Sequence, residues 1–490
     1  QDFEKLRSEC LAKGTLFEDP EFPATESSLH LEQPKPYVWK RPKEIFDDPA
    51  FFVDGASRFD VKQGELGDCW MLAALACLTS KEELFRRVVP DGQSFKENYA
   101  GIFHFKFWQY DRWVDVVIDD RLPTIEGRLY FMHSSQCNEL WSALLEKAYA
   151  KMYGSYGALV SGNEAEAMAD FTGGVVEVYD LADNQPPVNF YNIMLKAYQR
   201  SALITCSINN NPEDIEGVTE LGLVLGHAFS ITSIRYVKTR TSNRVPLLRV
   251  RNPWGRKVEW RGTWSDKSEA WNSLTEETKK ELGMKCAEDG EFWMSYKDFI
   301  KHFQRIEICY LCPCSLDERD LGDGVQKWWQ MYSFEGEWVR GVSSGGTSYH
   351  RGTFCYNPQY TINLIEPDEE DGAECTVIVA LTLKNKRRMG NFIKLIGFDI
   401  YELNDVDSLT KPLGNEFFTL QDAVHTTEPA NRRDVVATLQ LTVGTYLIVP
   451  WTIILGDEGK FLLRVFSGEK NHTRAPLVYI KLLCLFFCIS

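Results

Sequence analysis

At 490 residues, 44% of them apolar and 25% charged, the chain has a globular composition and is too long for one ordinary core, so two or three domains are expected. A net charge of −16 argues against nucleic acid as a partner and leaves room for acidic clusters that bind cations. Thirteen irregularly spaced cysteines lack the regularity of a disulfide framework, and with no N-terminal secretory signal they imply a reducing cytoplasm.

In chain order, residues 1–40 mix charge with proline and show little periodicity, which predicts a loosely ordered leader. The missing initiator Met points to a fragment or a processed start. Residues 41–163 form a first lobe. It carries a buried helix behind Cys69, strand-like stretches over 101–110 and 113–118, and a helix over 139–153. In the run Gln63-Gly64-Glu65-Leu66-Gly67-Asp68-Cys69-Trp70 the thiol falls at a helix N-terminus, where the dipole and free N–H groups favour a thiolate. A lone cysteine there would more often be an inert buried thiol.

Residues 164–312 form a β-rich second lobe, with runs over 202–208, 227–237 and 247–252. Its histidine, His227, opens a strand after Gly226, and Asn252 ends another before Pro253-Trp254-Gly255. Cysteine, histidine and asparagine make a nucleophile, a base and an orienter. Pro253 biases Asn252 toward an extended backbone, Trp254 is placed to shield the Asn–His bond, and Gln63 can join the Cys69 N–H in an oxyanion hole. Taken alone, a histidine on an apolar strand is more often a core residue. Jointly, the separations of roughly 160 and about 25 residues fit papain-like proteases. A transglutaminase would call for an Asp orienter in place of Asn252. From 313 to 468 the pattern is all-β, with runs over 360–364, 375–383, 392–403, 435–442 and 461–466, which predicts a β-sandwich.

The three blocks around Cys69, His227 and Asn252 resemble those of the calpains, calcium-dependent intracellular cysteine proteases. The resemblance continues through 138–151 and 289–294 and covers roughly residues 40 to 465. It implies an α+β multidomain fold, a two-lobed papain-like protease core followed by a C2-like antiparallel β-sandwich. It also implies a Ca2+ cofactor at two sites. The first takes the Val53 and Gly55 carbonyls with Asp60 and Glu139. The second takes Glu259, Asp266, the Ala287 carbonyl, Asp289 and Glu291. Without the resemblance, Glu139 reads as a helix-start carboxylate. The Gly255–Glu259 stretch carries one residue more than the family spacing. In calpains the pair matching Arg58 and Glu291 bridges the lobes when both sites fill.

The expected partners are protein substrates, with anionic phospholipid a further one through the C2-like domain. There the acidic run 366–371 and the basic run 384–388 otherwise read as solvated loops. Cys309, Cys312 and Cys314 hint at zinc, but no second ligand pair follows, and a structural reading is preferred. The Asn471-His472-Thr473 glycosylation acceptor should be silent in the cytoplasm. Residues 469–490 form an atypical apolar tail, too short to span a bilayer, in place of the penta-EF-hand domain of many calpains. The small-subunit heterodimer is therefore not expected. The competing reading is a catalytically idle scaffold, responsive to calcium and phospholipid, with a protease fold.

Overall fold

The structure, a computed structural model, describes residues 1–33, 35–110, 112–182, 185–199, 201–209, 217–241, 243–254, 258–284, 287, 289–311, 329–365, 367, 374–384, 394–404, 412–430 and 432–468. The acidic run (except Pro367), the basic run (except Lys384), Cys312, Cys314, residues 255–257 of the Gly255–Glu259 stretch, the 471–473 acceptor and the tail lie outside these residues. The chain divides into two units, Gln1–Leu311 and Cys312–Ser490.

The leader is not loose. Asp2 accepts a hydrogen bond from the Lys5 N–H at 3.0 Å and starts the Phe3–Lys13 helix, which Gly14 ends in the left-handed region at φ 65. Phe3 and Phe17 are buried with Ala100, Ile102 and Val117 of the first lobe. Only Phe3 of that helix is buried, so the sequence carries no apolar stripe to announce it.

The first lobe is built around the Cys69–Leu78 helix, whose residues 70–78 are all buried. Apolar on every side, it can be placed only where protein surrounds it. It packs against the Glu164–Thr172 helix and against the His227–Lys238 strand, so the nucleophile helix and the strand of the base are direct neighbours. The Ile102–Gln109 and Arg112–Asp119 strands pair as a hairpin. The Trp141–Tyr153 helix begins two residues later than the sequence suggested. Glu139 is therefore not a helix-start carboxylate; it forms a parallel bridge with Ala50.

Among the described residues the second lobe is a six-stranded antiparallel sheet, in the order Glu291–Ser295, Arg244–Arg251, His227–Lys238, Leu203–Ile208, Arg305–Tyr310, Val175–Asp180. One face buries Ile204, Phe229, Ile231, Val250 and Phe292 with Met194 of the Phe190–Gln199 helix. Among the described residues the second unit has two four-stranded antiparallel sheets. One runs Trp329–Trp338, Gly459–Gly468, Glu374–Leu383, Asp434–Thr442, and the other Tyr360–Leu364, Gly444–Thr452, Ile396–Leu403, His425–Thr426. Val377, Val379 and Leu463 of the first share a core with Phe398, Ile400 and Ile448 of the second. That shared core is what the alternating apolar runs predicted.

Candidate active site

Local packing fixes the approach to Cys69. A Cβ on Gly64 would lie 2.2 Å from the Phe131 carbonyl oxygen, so only glycine lets the chain pass there. Trp70 is buried and donates from Nε1 to the Leu159 carbonyl at 2.9 Å. Its ring lies where a Cβ on Gly162 would have to go, 2.1 Å from Trp70 Cε2. Two of the most recognisable residues of this run thus serve packing. Cys69 is half-buried and is the first residue of its helix.

The base side is tied down at each end. His227 is the first residue of its strand, after Gly226 at φ 63. Asn252 follows the Arg244–Arg251 strand, and its N–H donates to the Gly290 carbonyl at 2.8 Å. Both side chains are fully buried. Asn252 Oδ1 accepts from the Trp254 N–H at 2.9 Å, which identifies it as the oxygen and aims it at His227 Nε2, also 2.9 Å away. Since Oδ1 can only accept, His227 must carry its hydrogen on Nε2 and present a lone pair on Nδ1. Nδ1 is buried and makes no hydrogen bond among the described residues. Burial pushes the imidazole down to about 4 against the opposing pull of Asn252, so it is neutral at neutral pH.

Trp254 sits with its ring centroid 5.0 Å from that of His227. Its Nε1 donates to Gln63 Oε1 at 3.1 Å, joining the base loop to the nucleophile loop across 191 residues of sequence. Gln63 Nε2 donates to the Leu66 carbonyl at 2.9 Å, leaving one amide hydrogen for an incoming oxyanion.

The proposed calcium ligands fall into two neighbourhoods. In the first, Glu139 is fully buried and accepts from the Val53 N–H and the Ser134 hydroxyl, both at 2.6 Å. Asp60 accepts from the Ser57 N–H at 2.6 Å, and Gly55 turns the loop at φ 85. Burial, with Asp60 adding its charge, pushes Glu139 up to about 7. In the second, Glu259 accepts from the Gly290 N–H at 2.7 Å, Asp266 from the Ala287 N–H at 3.0 Å, and Asp289 from the Glu291 N–H at 3.0 Å. Burial and the neighbouring carboxylates raise Glu259 to about 7 and Asp266 to about 6. Glu291 departs from this pattern. Arg58 reaches both of its oxygens at 2.9 Å and Thr232 donates at 2.8 Å, and these contacts, with Arg249, overcome burial and hold it below its ordinary value. Among the described residues no three His, Cys, Asp or Glu side chains converge as a metal-binding group.

Sequence reasoning missed Ser134 and Thr232, which leave no readable spacing. Ser57 was readable, because a Ser three residues before Asp60 is a capping box, and the structure makes it one. Arg251 was also missed. It is fully buried, donates to the Asp289 carbonyl at 3.1 Å, and lies 4.7 Å from the centre of the Phe59 ring.

A thiol opening a helix beside an Asn-anchored imidazole defines the class of cysteine proteases. Residues 17–310 match the family model described as calpain family cysteine protease, and residues 334–466 that for calpain large subunit, domain III. The chain is 52% identical over 481 residues to Calpain-B of Drosophila melanogaster, covering 96% of this chain and 52% of that relative. It is 47% identical over 481 residues to human Calpain-9, covering 97% and 68%. With the Calpain-1 catalytic subunit of Gallus gallus it shares 45% over 490 residues, covering 96% and 68%. The chain belongs to the calpain family of cysteine proteases. It spans between about half and two thirds of the length of these curated relatives.

Proposed function

We propose that the chain is a calcium-regulated cysteine endopeptidase that makes limited cuts in protein substrates. One observation carries this reading: the Asn252–His227 hydrogen bond leaves Nδ1 as the basic nitrogen. In the proposed reaction Nδ1 takes the Cys69 proton, and the sulfur attacks the scissile carbonyl. The oxyanion is held by the Cys69 N–H and the remaining Gln63 hydrogen. The imidazolium then protonates the leaving amine. Water, deprotonated by the same nitrogen, hydrolyses the thioester and restores the thiol.

The donor chemistry fits calcium, because both neighbourhoods gather hard oxygens and hold carboxyls whose mutual repulsion a cation relieves. Val53, Gly55, Asp60 and Glu139 would hold one ion, and Glu259, Asp266, Ala287, Asp289 and Glu291 the other. When bound, calcium would supply positive charge that draws each loop together. Arg58, paired to Glu291, reaches from the first loop to the second and is suited to couple them.

In the same reading, 41–163 and 164–312 are the two lobes of a papain-like core and 313–468 a C2-like sandwich open to anionic phospholipid, in a cytoplasmic protein. The idle-scaffold alternative is not favoured, because the Cys, His and Asn set is intact. The test is labelling of Cys69 by an epoxide thiol inhibitor, located by mass spectrometry, with and without calcium. Rapid labelling that requires calcium is expected; equal slow labelling in both conditions would support the scaffold.

A further inference from the structure

Asp68 precedes the nucleophile at the N-cap position, yet its side chain caps nothing. Elsewhere in this chain Asp2, Asn163, Ser268, Thr275 and Ser295 all accept from the first turn of their helices. Asp68 turns inward instead. It is 1% exposed, and among the described residues no other residue's N–H or O–H donates to either carboxyl oxygen; only its own backbone N–H acts on it. Its neighbour is Glu146, also 1% exposed, on the Trp141–Tyr153 helix, with the two carboxyls within side-chain hydrogen-bonding reach. Glu146 accepts from the Met132 N–H at 3.1 and 3.2 Å.

Two ionised carboxylates can only accept, so this contact becomes a hydrogen bond only when one oxygen is protonated. The surroundings demand that proton. Among the described residues no cation acts on either group, and the third titratable neighbour is the fully buried Tyr156, whose hydroxyl is unpartnered and which also feels Asp119. Asp119, in the same lobe, shows the alternative: Lys147 and Arg121 each hold it at 2.7 Å. Burial pushes both members of the Asp68–Glu146 pair well above the ordinary carboxylate range.

We propose that Asp68 and Glu146 share one proton beneath the nucleophile helix and act as a positioning unit for Cys69, so that loss of this proton limits catalysis at alkaline pH. A capping carboxylate would set a full charge against the first-turn N–H groups, one residue from the thiolate, and cancel the positive helix end. The inward pair leaves that end free. It also fixes the Asp68 backbone, whose carbonyl accepts from Met71 at 2.9 Å and Leu72 at 3.2 Å. A second ionisation would put two uncompensated buried charges under the helix start and displace it.

This inference rests on Cys69 being the nucleophile, and the test separates the two claims. Infrared spectra of the full chain at neutral pH should show a protonated carboxyl band that both Glu146→Gln and Asp68→Asn remove, whether or not the protein cleaves anything. In calcium-saturated peptide cleavage, Glu146→Gln should keep the acid limb and raise the alkaline rate, relative to the neutral rate, by about tenfold over wild type. Glu146→Leu, which strands the Asp68 charge, should lower kcat by about tenfold or more with KM within about twofold. Persistence of the band in both amide variants, or a wild-type alkaline limb in Glu146→Gln, overturns the proposal. Either amide supplies a hydrogen where the proton sat, so failure of both to fold overturns it as well. Absence of cleavage by wild type with the band behaving as expected counts against the protease reading alone.

Discussion

The two halves of the site are finished to different degrees. On the base side Asn252 Oδ1 serves two donors, and His227 Nε2 is locked to it at the ends of two inner strands of the second lobe's sheet. On the nucleophile side the thiol opens a helix whose preceding carboxylate faces away, and His227 Nδ1 is still without a hydrogen bond among the described residues. The difference teaches that orientation of the base is built into the second lobe, whereas in the proposed mechanism its meeting with the thiol is left to the alignment of the lobes. A meeting that is geometrically separate from the parts is a natural point of control.

The sharpest break in this comparison is Cys69→Ala. It should reduce peptide cleavage by several orders of magnitude while circular dichroism stays that of wild type, because the thiol supplies chemistry rather than core volume. More than a trace of turnover would remove Cys69 from its role. Next come the base and its anchor. His227→Ala should approach the loss of Cys69→Ala, while Asn252→Ala should cost about a hundredfold in kcat, the scale of an imidazole misplaced by about 1 Å. Equal losses would mean that Asn252 does more than orient.

A smaller effect sharpens the base side alone. His227 has a folded-state value of about 4, below its unfolded value, so the unfolded chain binds the extra proton between the two. The stability that follows is full above the unfolded value, about 6.5, and is lost as pH falls toward 4. Denaturant titrations should show wild type losing, across that window, on the order of 3 kcal/mol more than His227→Phe. Parallel curves would mean the imidazole is not buried neutral. The smallest test concerns the nucleophile loop: Gly64→Ala should destabilise by about 1–3 kcal/mol, as an added methyl does against unyielding backbone. A neutral effect would show that the loop passes Phe131 less closely.

The parts of the site that were legible in the sequence are those punctuated by backbone chemistry. Gly226 before His227 and Pro253 after Asn252 mark strand ends, and the apolar run after Cys69 can only be a buried helix. What stayed hidden depends on contacts between distant residues. Glu146 and Lys147 are neighbours in one helix, yet Lys147 goes to Asp119 and Glu146 to Asp68, partners that no local spacing announces. The leader helix was missed because a single buried phenylalanine anchors it. Glu139 was misread as a helix start because its partners, Val53 and Ser134, come from separate loops. In the second unit five strands were legible, whereas Trp329–Trp338, His425–Thr426 and Gly444–Thr452 were not named and the strand order was not readable, since an apolar run marks a strand but not its neighbour.

The central claim, that alignment of the lobes closes the thiol–imidazole contact under calcium control, is tested most directly by a calcium titration of peptide cleavage. Wild type, Arg58→Ala, Asp60→Ala and Asp289→Ala are compared, with folding checked in chelator. The account predicts no cleavage by wild type in chelator and a cooperative rise with calcium. Arg58→Ala should show a lower maximal rate and weaker cooperativity, and the two Asp variants should need about tenfold more calcium, the scale of one lost carboxylate coupling. Full activity in chelator, or four superimposable curves, would contradict it.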